Sequence, residues 1–138
     1  MPDVKIFFDR PVFERIGSTN QIEIMLIACR AVAQKFYPDD WRANFEKIGC
    51  RVFISEKSLH VAEISVEVSF TTGKHGFSLR QITNQFKEEL RDALLHDLED
   101  HVYTVGLAGS IDVWPGPRPG AAFASSTKAE WLERKKQG

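Results

Sequence analysis

The sequence predicts an α/β domain: two tandem β-α-β units forming a four-stranded mixed sheet with two helices on one face. Three observations carry that expectation. Residues 62–70 alternate without a fault, with Ala62, Ile64, Val66, Val68 and Phe70 on one side and Glu63, Ser65, Glu67 and Ser69 on the other. This is the pattern of a strand covered by helices on a single face. Apolar residues at three- and four-residue steps mark two helices, one through Ile22, Met25, Leu26, Cys29, Val32, Ala33 and Phe36, the other through Leu79, Ile82, Phe86, Leu90, Ala93 and Leu94. Each helix lies between strand-like segments, and right-handed crossovers then place both on the same side of the sheet.

In chain order, Val4, Ile6 and Phe8 alternate with Lys5 and Asp9 as a first strand, and Phe7 makes its second face partly apolar. Residues 9–19, with Pro11 and Gly17, read as a loop. Asn20-x-x-Glu23 or Ser18-x-x-Gln21 supplies a capping box for the first helix. Tyr37-Pro38-Asp39-Asp40 stops that helix, because a residue before proline is pushed out of the α region. Gly49 precedes a second strand at residues 50–55, and Glu56-Lys57-Ser58 turns the chain into the third. A loop with two glycines follows at residues 71–76, and Ser78-x-x-Gln81 caps the second helix. The fourth strand is expected through Tyr103, Val105, Leu107, Ile111 and Val113, with Gly106 and Gly109 allowing a bulge. The run from Pro115 to Gly120 ends it. Thr127-x-x-Glu130 caps a last short helix around Trp131 and Leu132, whose basic end, Arg134-Lys135-Lys136, suits a helix C-terminus. The ferredoxin-like arrangement shares this order of elements, and periodicity alone does not separate the two.

Composition bounds the function. A chain of 138 residues is one domain by length, with its core at residues 2–114, a Pro/Gly-rich segment at 115–120 and a tail at 121–138. The 43% hydrophobic and 27% charged fractions are those of a soluble globular protein. No apolar run approaches the ~18 residues of a membrane span, and the first residues lack a signal-peptide pattern, so a cytoplasmic location is expected. A net charge of −1 argues against a general nucleic-acid binder. Cys29 and Cys50 have no metal-ligand spacing, and Cys29 lies on a helix stripe, which suits a buried free thiol. His96, Asp97, Glu99, Asp100 and His101 crowd one helix end with no second group to complete a metal shell, and the dipole accounts for His96 there. No metal or cofactor is expected.

Pro2 is the most informative single residue. Methionine aminopeptidases remove Met1 ahead of a small residue, and the mature chain would then begin with a secondary amine, a base that no internal residue supplies. With Pro2 at the head of the first strand, two β-α-β units, Gly49-Cys50-Arg51-Val52 in the second strand, and the passage at residues 60–98 with its Gly76-Phe77-Ser78 turn, the chain resembles the tautomerase superfamily. The likeness spans roughly residues 2–125. It departs from the family at Gly49, where a second-strand arginine is expected, and in the Pro/Gly run after Trp114.

The resemblance implies a cofactor-free isomerase in which the Pro2 amine is the general base on a carboxylate-bearing keto or enol compound. Decarboxylation or hydration on the same scaffold is the alternative within the superfamily. Arg51 would hold the substrate carboxylate, with Lys74 and His75 as loop cations and Phe7, Phe53 and Trp114 as the apolar wall. Read from the residues alone, Arg51 is the outward polar partner of Val52 and Ile54, and Lys74 and His75 are a solvated loop. A non-enzymatic assembly or binding module competes with the enzyme. The polar row Glu63, Ser65, Glu67 and Ser69 and the exposed sheet edges invite pairing with another chain, and the resemblance implies a homotrimer.

Overall fold

The computed structural model describes residues 2–55, 62–70, 83–116 and 123–138. Its elements are β1 (Pro2–Asp9), α1 (Arg10–Phe36), α2 (Trp41–Asn44), a 3₁₀ turn (Phe45–Lys47), β2 (Gly49–Ser55), β3 (Ile64–Phe70), α3 (Asn84–Val105), β4 (Ser110–Trp114), β5 (Ala124–Thr127) and α4 (Lys128–Gln137). The strands form one sheet in the order β2-β1-β3-β4-β5. β1 runs parallel to β2, and β3 parallel to β4, while β1 against β3 and β4 against β5 are antiparallel.

The expected four-stranded sheet with two helices is corrected by this architecture, which has five strands and four helices among the described residues. It is not a simple tandem doublet: α2 and a 3₁₀ turn intervene before β2, and β5 with α4 is appended after β4. The ferredoxin-like alternative fails as well, because α1 joins two strands that are direct neighbours rather than split by a third.

Proline in the first turn of α1 costs no hydrogen bond, so Pro11 starts a helix where a loop was expected. Gly17 then breaks it at φ 80°, a left-handed conformation that favours glycine. The Asn20 side-chain amide donates to the Ile16 carbonyl at 2.7 Å, and that of Gln21 to the Phe13 carbonyl at 2.8 Å. Residues expected to cap the helix ahead of them thus satisfy carbonyls behind them.

Beyond the break, Ile24, Ile27, Ala28, Ala31 and Val32 enter the core, whereas Ile22 and Leu26 are 54% and 45% exposed. The helix is apolar on more than one side, so its spacing alone admits two stripes, and packing selects the one without Leu26.

Helix α3 begins at Thr83, whose hydroxyl accepts from the Phe86 N–H at 3.1 Å. The expected cap at Ser78 and the apolar positions Leu79 and Ile82 lie outside the described residues. Leu90, Leu94, Leu98 and Val102 are fully buried at four-residue steps, and the helix ends on Gly106 at φ 81°. Tyr103 and Val105, expected in a strand, are therefore helical, and β4 is only Ser110–Trp114. Their alternation with Leu107 mimics a strand locally, but the buried ladder continues one turn further.

The core fills the space between these helices and Val4, Ile6, Phe8, Ile64, Val66, Val68, Ile111 and Val113 of the sheet. Tyr103 ties on the C-terminal addition: its hydroxyl donates to the Ser126 carbonyl at 2.8 Å and its ring packs on Trp131. Thr127 caps α4 by accepting from the Glu130 N–H at 3.2 Å. No helix among the described residues is long and apolar enough to cross a membrane.

Candidate functional site

Side chains along a strand point alternately to the two faces of its sheet, so register decides which of the candidate residues meet. Pro2 shares the parity of Val4, Ile6 and Phe8, which face the helices, and it is buried opposite Phe70 of β3. Arg51 pairs with Lys5, three positions further along β1, and belongs with Lys5 to the opposite face. Three residues of strand span roughly 10 Å. Pro2 and Arg51 are thus separated both along the strands and through the sheet.

No tautomerase-type active site is assembled from these residues, and the functional expectation built on it is corrected together with the fold. Lys74 and His75 lie outside the described residues. Comparison with protein-family models, with characterised proteins and with solved structures finds no match. The resemblance to the tautomerase superfamily is overturned by the five-stranded sheet and the four helices.

The structure does bring Phe7, Phe53, Arg51 and Trp114 onto one surface, the sheet face turned away from the helices. Two cross-strand rows define it. One runs Arg51, Lys5, Glu67, Trp114 across β2, β1, β3 and β4, and the next runs Phe53, Phe7, Ser65, Asp112, Ser125 across all five strands. An aromatic stack closes each flank. Phe7 lies on Phe53 with ring centroids 5.1 Å apart, and Trp114 lies on Phe123 at 4.4 Å. The first row is bipolar, with two cations at the β2 end and a carboxylate next to the indole. Among the described residues neither Lys5 nor Arg51 makes an ion pair.

Burial falls steeply across this face. Ser65 and Asp112 are buried near the centre, Lys5, Phe7, Glu67 and Trp114 are half-buried, and Arg51 and Phe53 are exposed. β2 is also an edge strand, seven residues long, with Phe53 and Ile54 both about two-fifths exposed. Glu63, just before β3, is occupied within its own chain: its carboxylate accepts from the Gly109 N–H at 3.1 Å and its N–H donates to Ser110 Oγ at 2.9 Å.

Two further clefts flank the outer side of α1. One, of about 350 Å³, is lined by Leu26, Arg30, Trp41, Arg42 and Phe45, and the Arg42 guanidinium lies 5.2 Å from the centroid of the Trp41 ring. The other, of about 310 Å³, is lined by Met25, Leu26, Cys29, Phe45, Glu46, Ile48 and Cys50. Neither is lined by Pro2 or Arg51. Read from the sequence, the helix-stop turn at Asp39 and Asp40 took in Trp41 and gave Arg42 no role; the signal present was an aromatic residue beside an arginine at the start of a second short helix.

Part of the acidic and histidine cluster is paired within the chain. Glu99, almost fully buried, is paired with Arg134, and His96 and Lys135 both approach Asp100, at 3.5 and 3.9 Å. No three potential metal ligands gather among the described residues.

Proposed function

We propose that this protein works as a self-assembling module, a homotrimer in which the β2 edge of each copy docks on the sheet face of the next. The observation that carries the reading is the pair of unlike patches on one face. Arg51 and Phe53 stand exposed at the β2 side, Glu67 lies two strands across on β3, and the Trp114–Phe123 stack begins on β4, three strands across. The patches are complementary in kind, since a guanidinium suits a carboxylate and an aromatic ring suits a stacked pair whose Phe123 is exposed. Arginine and aromatic residues are also the side chains that dominate binding energy at interfaces. Because the patches differ, the contact is heterologous and must close into a ring to remain finite. With both patches on the same face, the sheets turn towards the ring axis, and three copies make a small closed ring. A seven-residue edge with two exposed hydrophobic residues is otherwise a liability in a monomer.

Light scattering across a dilution series tests this reading. The expected mass is three times the 15.7 kDa chain. Arg51→Glu should shift the mass towards the monomer by setting a carboxylate against Glu67 of the next copy, and Arg51→Glu combined with Glu67→Lys should restore it. A monomeric wild-type chain at micromolar concentration overturns the reading. A wild-type dimer overturns the ring, and a double variant that fails to recover overturns the assigned pairing.

A further inference from the structure

We infer that Cys29 and Cys50 form a peroxide-reactive thiol pair, which a hydroperoxide converts to a disulfide linking helix α1 to strand β2. Both thiols are free in this structure. Cys29 is buried on α1, and Cys50, half-buried, lies next in β2 to Gly49 and opposite Val4, on the helix side of the sheet. Packing of α1 on β2 brings the two thiols close enough to act on each other's ionisation. Both also line the cleft of about 310 Å³ beside Met25, Phe45 and Ile48, an opening large enough for a small hydroperoxide to reach the sulfurs.

The pair is electrostatically unequal. Interaction with the Cys29 thiol pulls the Cys50 thiol below its ordinary range against the effect of burial. The same interaction, then burial, then the charge on Cys50 push the Cys29 thiol up. Cys50 is also the less buried of the two, which makes it the thiol assigned to ionise and attack, since a thiolate is the nucleophilic form of cysteine.

The chemistry balances in two steps. The Cys50 thiolate attacks the outer oxygen of the hydroperoxide, the O–O bond breaks, and the alkoxide or hydroxide leaves as an alcohol or water with one proton. Cys50 is now a sulfenic acid. The Cys29 sulfur gives up its proton and attacks the Cys50 sulfur, the S–O bond breaks, and the departing hydroxide takes that proton as water. Two thiols and one hydroperoxide become one disulfide, one alcohol (water, if the peroxide is hydrogen peroxide) and one water. A reducing thiol reverses the change by thiol–disulfide exchange. This inference does not depend on the assembly reading.

Hydrogen peroxide is the probe. The folded chain is exposed to it, unfolded in the presence of a maleimide, and weighed intact, with and without prior reduction. The wild type should lose both alkylatable thiols and two hydrogens in mass, and reduction should restore both thiols. Cys29→Ser should leave Cys50 as a sulfenic acid that dimedone traps. Cys50→Ser should leave Cys29 alkylatable after the same exposure, since the buried thiol has lost its partner. Serine is close in size to cysteine, so circular dichroism should show both variants folded. Wild-type chains that keep both thiols, or that carry a disulfide only between two copies, overturn the inference. A Cys29→Ser chain that yields no dimedone adduct, or a Cys50→Ser chain that loses Cys29 as fast as the wild type, overturns the assigned order of attack.

Discussion

In the N-terminal half of the molecule, β1, α1 and β2 end at an open sheet edge; in the C-terminal half, β3, α3 and β4 are followed by β5 and α4, which cover theirs. The open edge is seven residues long and carries Arg51, Phe53 and Ile54 at its surface. The finished edge is a four-residue strand of Ala124, Ser125, Ser126 and Thr127, short and without a large apolar side chain. The helices differ in the same sense. α3 is a leucine ladder buried on one face, whereas α1 is broken at Gly17 and leaves Ile22 and Leu26 in solvent beside two clefts. Both halves leave some apolar side chains exposed, Val105, Phe123 and Leu132 among them in the C-terminal one; only in the N-terminal half do such residues lie on a long open edge.

The largest effect should come from the ladder itself. Leu94→Ala removes a fully buried side chain between α3 and the sheet, and its cost should be about 2–5 kcal/mol in urea denaturation. Leu26→Ala, a substitution of the same chemistry at a 45%-exposed position on α1, should fall within about 1 kcal/mol of the wild type. Equal losses at the two sites would erase the difference between the halves.

The lock on the finished edge is tested next. Tyr103→Phe leaves the Ser126 carbonyl and hydroxyl without their buried partner and should cost about 1–3 kcal/mol. Hydrogen exchange should then quicken in β5 and α4 before it quickens in β2. The same residue gives the protein an alkaline limit. Burial, assisted by the charge of Glu99 and opposed by the Ser126 hydrogen bond, pushes the Tyr103 phenol from 10.0 up to about 12. A pKa raised in the folded state means the folded chain holds its proton longer than the unfolded chain. The stability Tyr103 contributes is complete below pH ~10 and is lost as the pH climbs to about 12. Denaturation midpoints followed through that window should fall more steeply for the wild type than for Tyr103→Phe, and parallel curves would defeat the assignment.

The smallest effect expected is at the α4 cap. Thr127→Ala deletes the acceptor for the Glu130 N–H and should cost about 1 kcal/mol, read as lost helicity in α4 with β2 unaffected. A loss that spreads to the N-terminal half would mean that the two edges are not independent.

Some of this was legible in the residues, because it is local. The alternation through Ile64, Val66 and Val68 has a period of two and one apolar face, which fixes both the strand and its buried side. Leu90 and Leu94 in a four-residue repeat, Thr127 three residues before Glu130, and Tyr37 before Pro38 are equally short-range signals. What was misread depended on partners distant in the chain. Tyr103 looks like a strand residue until α3 is allowed to run to Gly106, and β5 has too few apolar residues to announce itself before Tyr103 bonds to Ser126. Leu26 looks like core because α1 is apolar on more than one side, and only packing against the sheet and α3 chooses between its faces. Pro2 and Arg51 look like neighbours because each stands near the head of its strand. Register places Arg51 opposite Lys5, and strand parity turns it to the other face. The local alphabet of strands, helices and caps was written in the sequence; which residues share a face, an edge or a thiol contact was decided by the tertiary structure, because register and packing are properties of pairs of segments and of no segment alone.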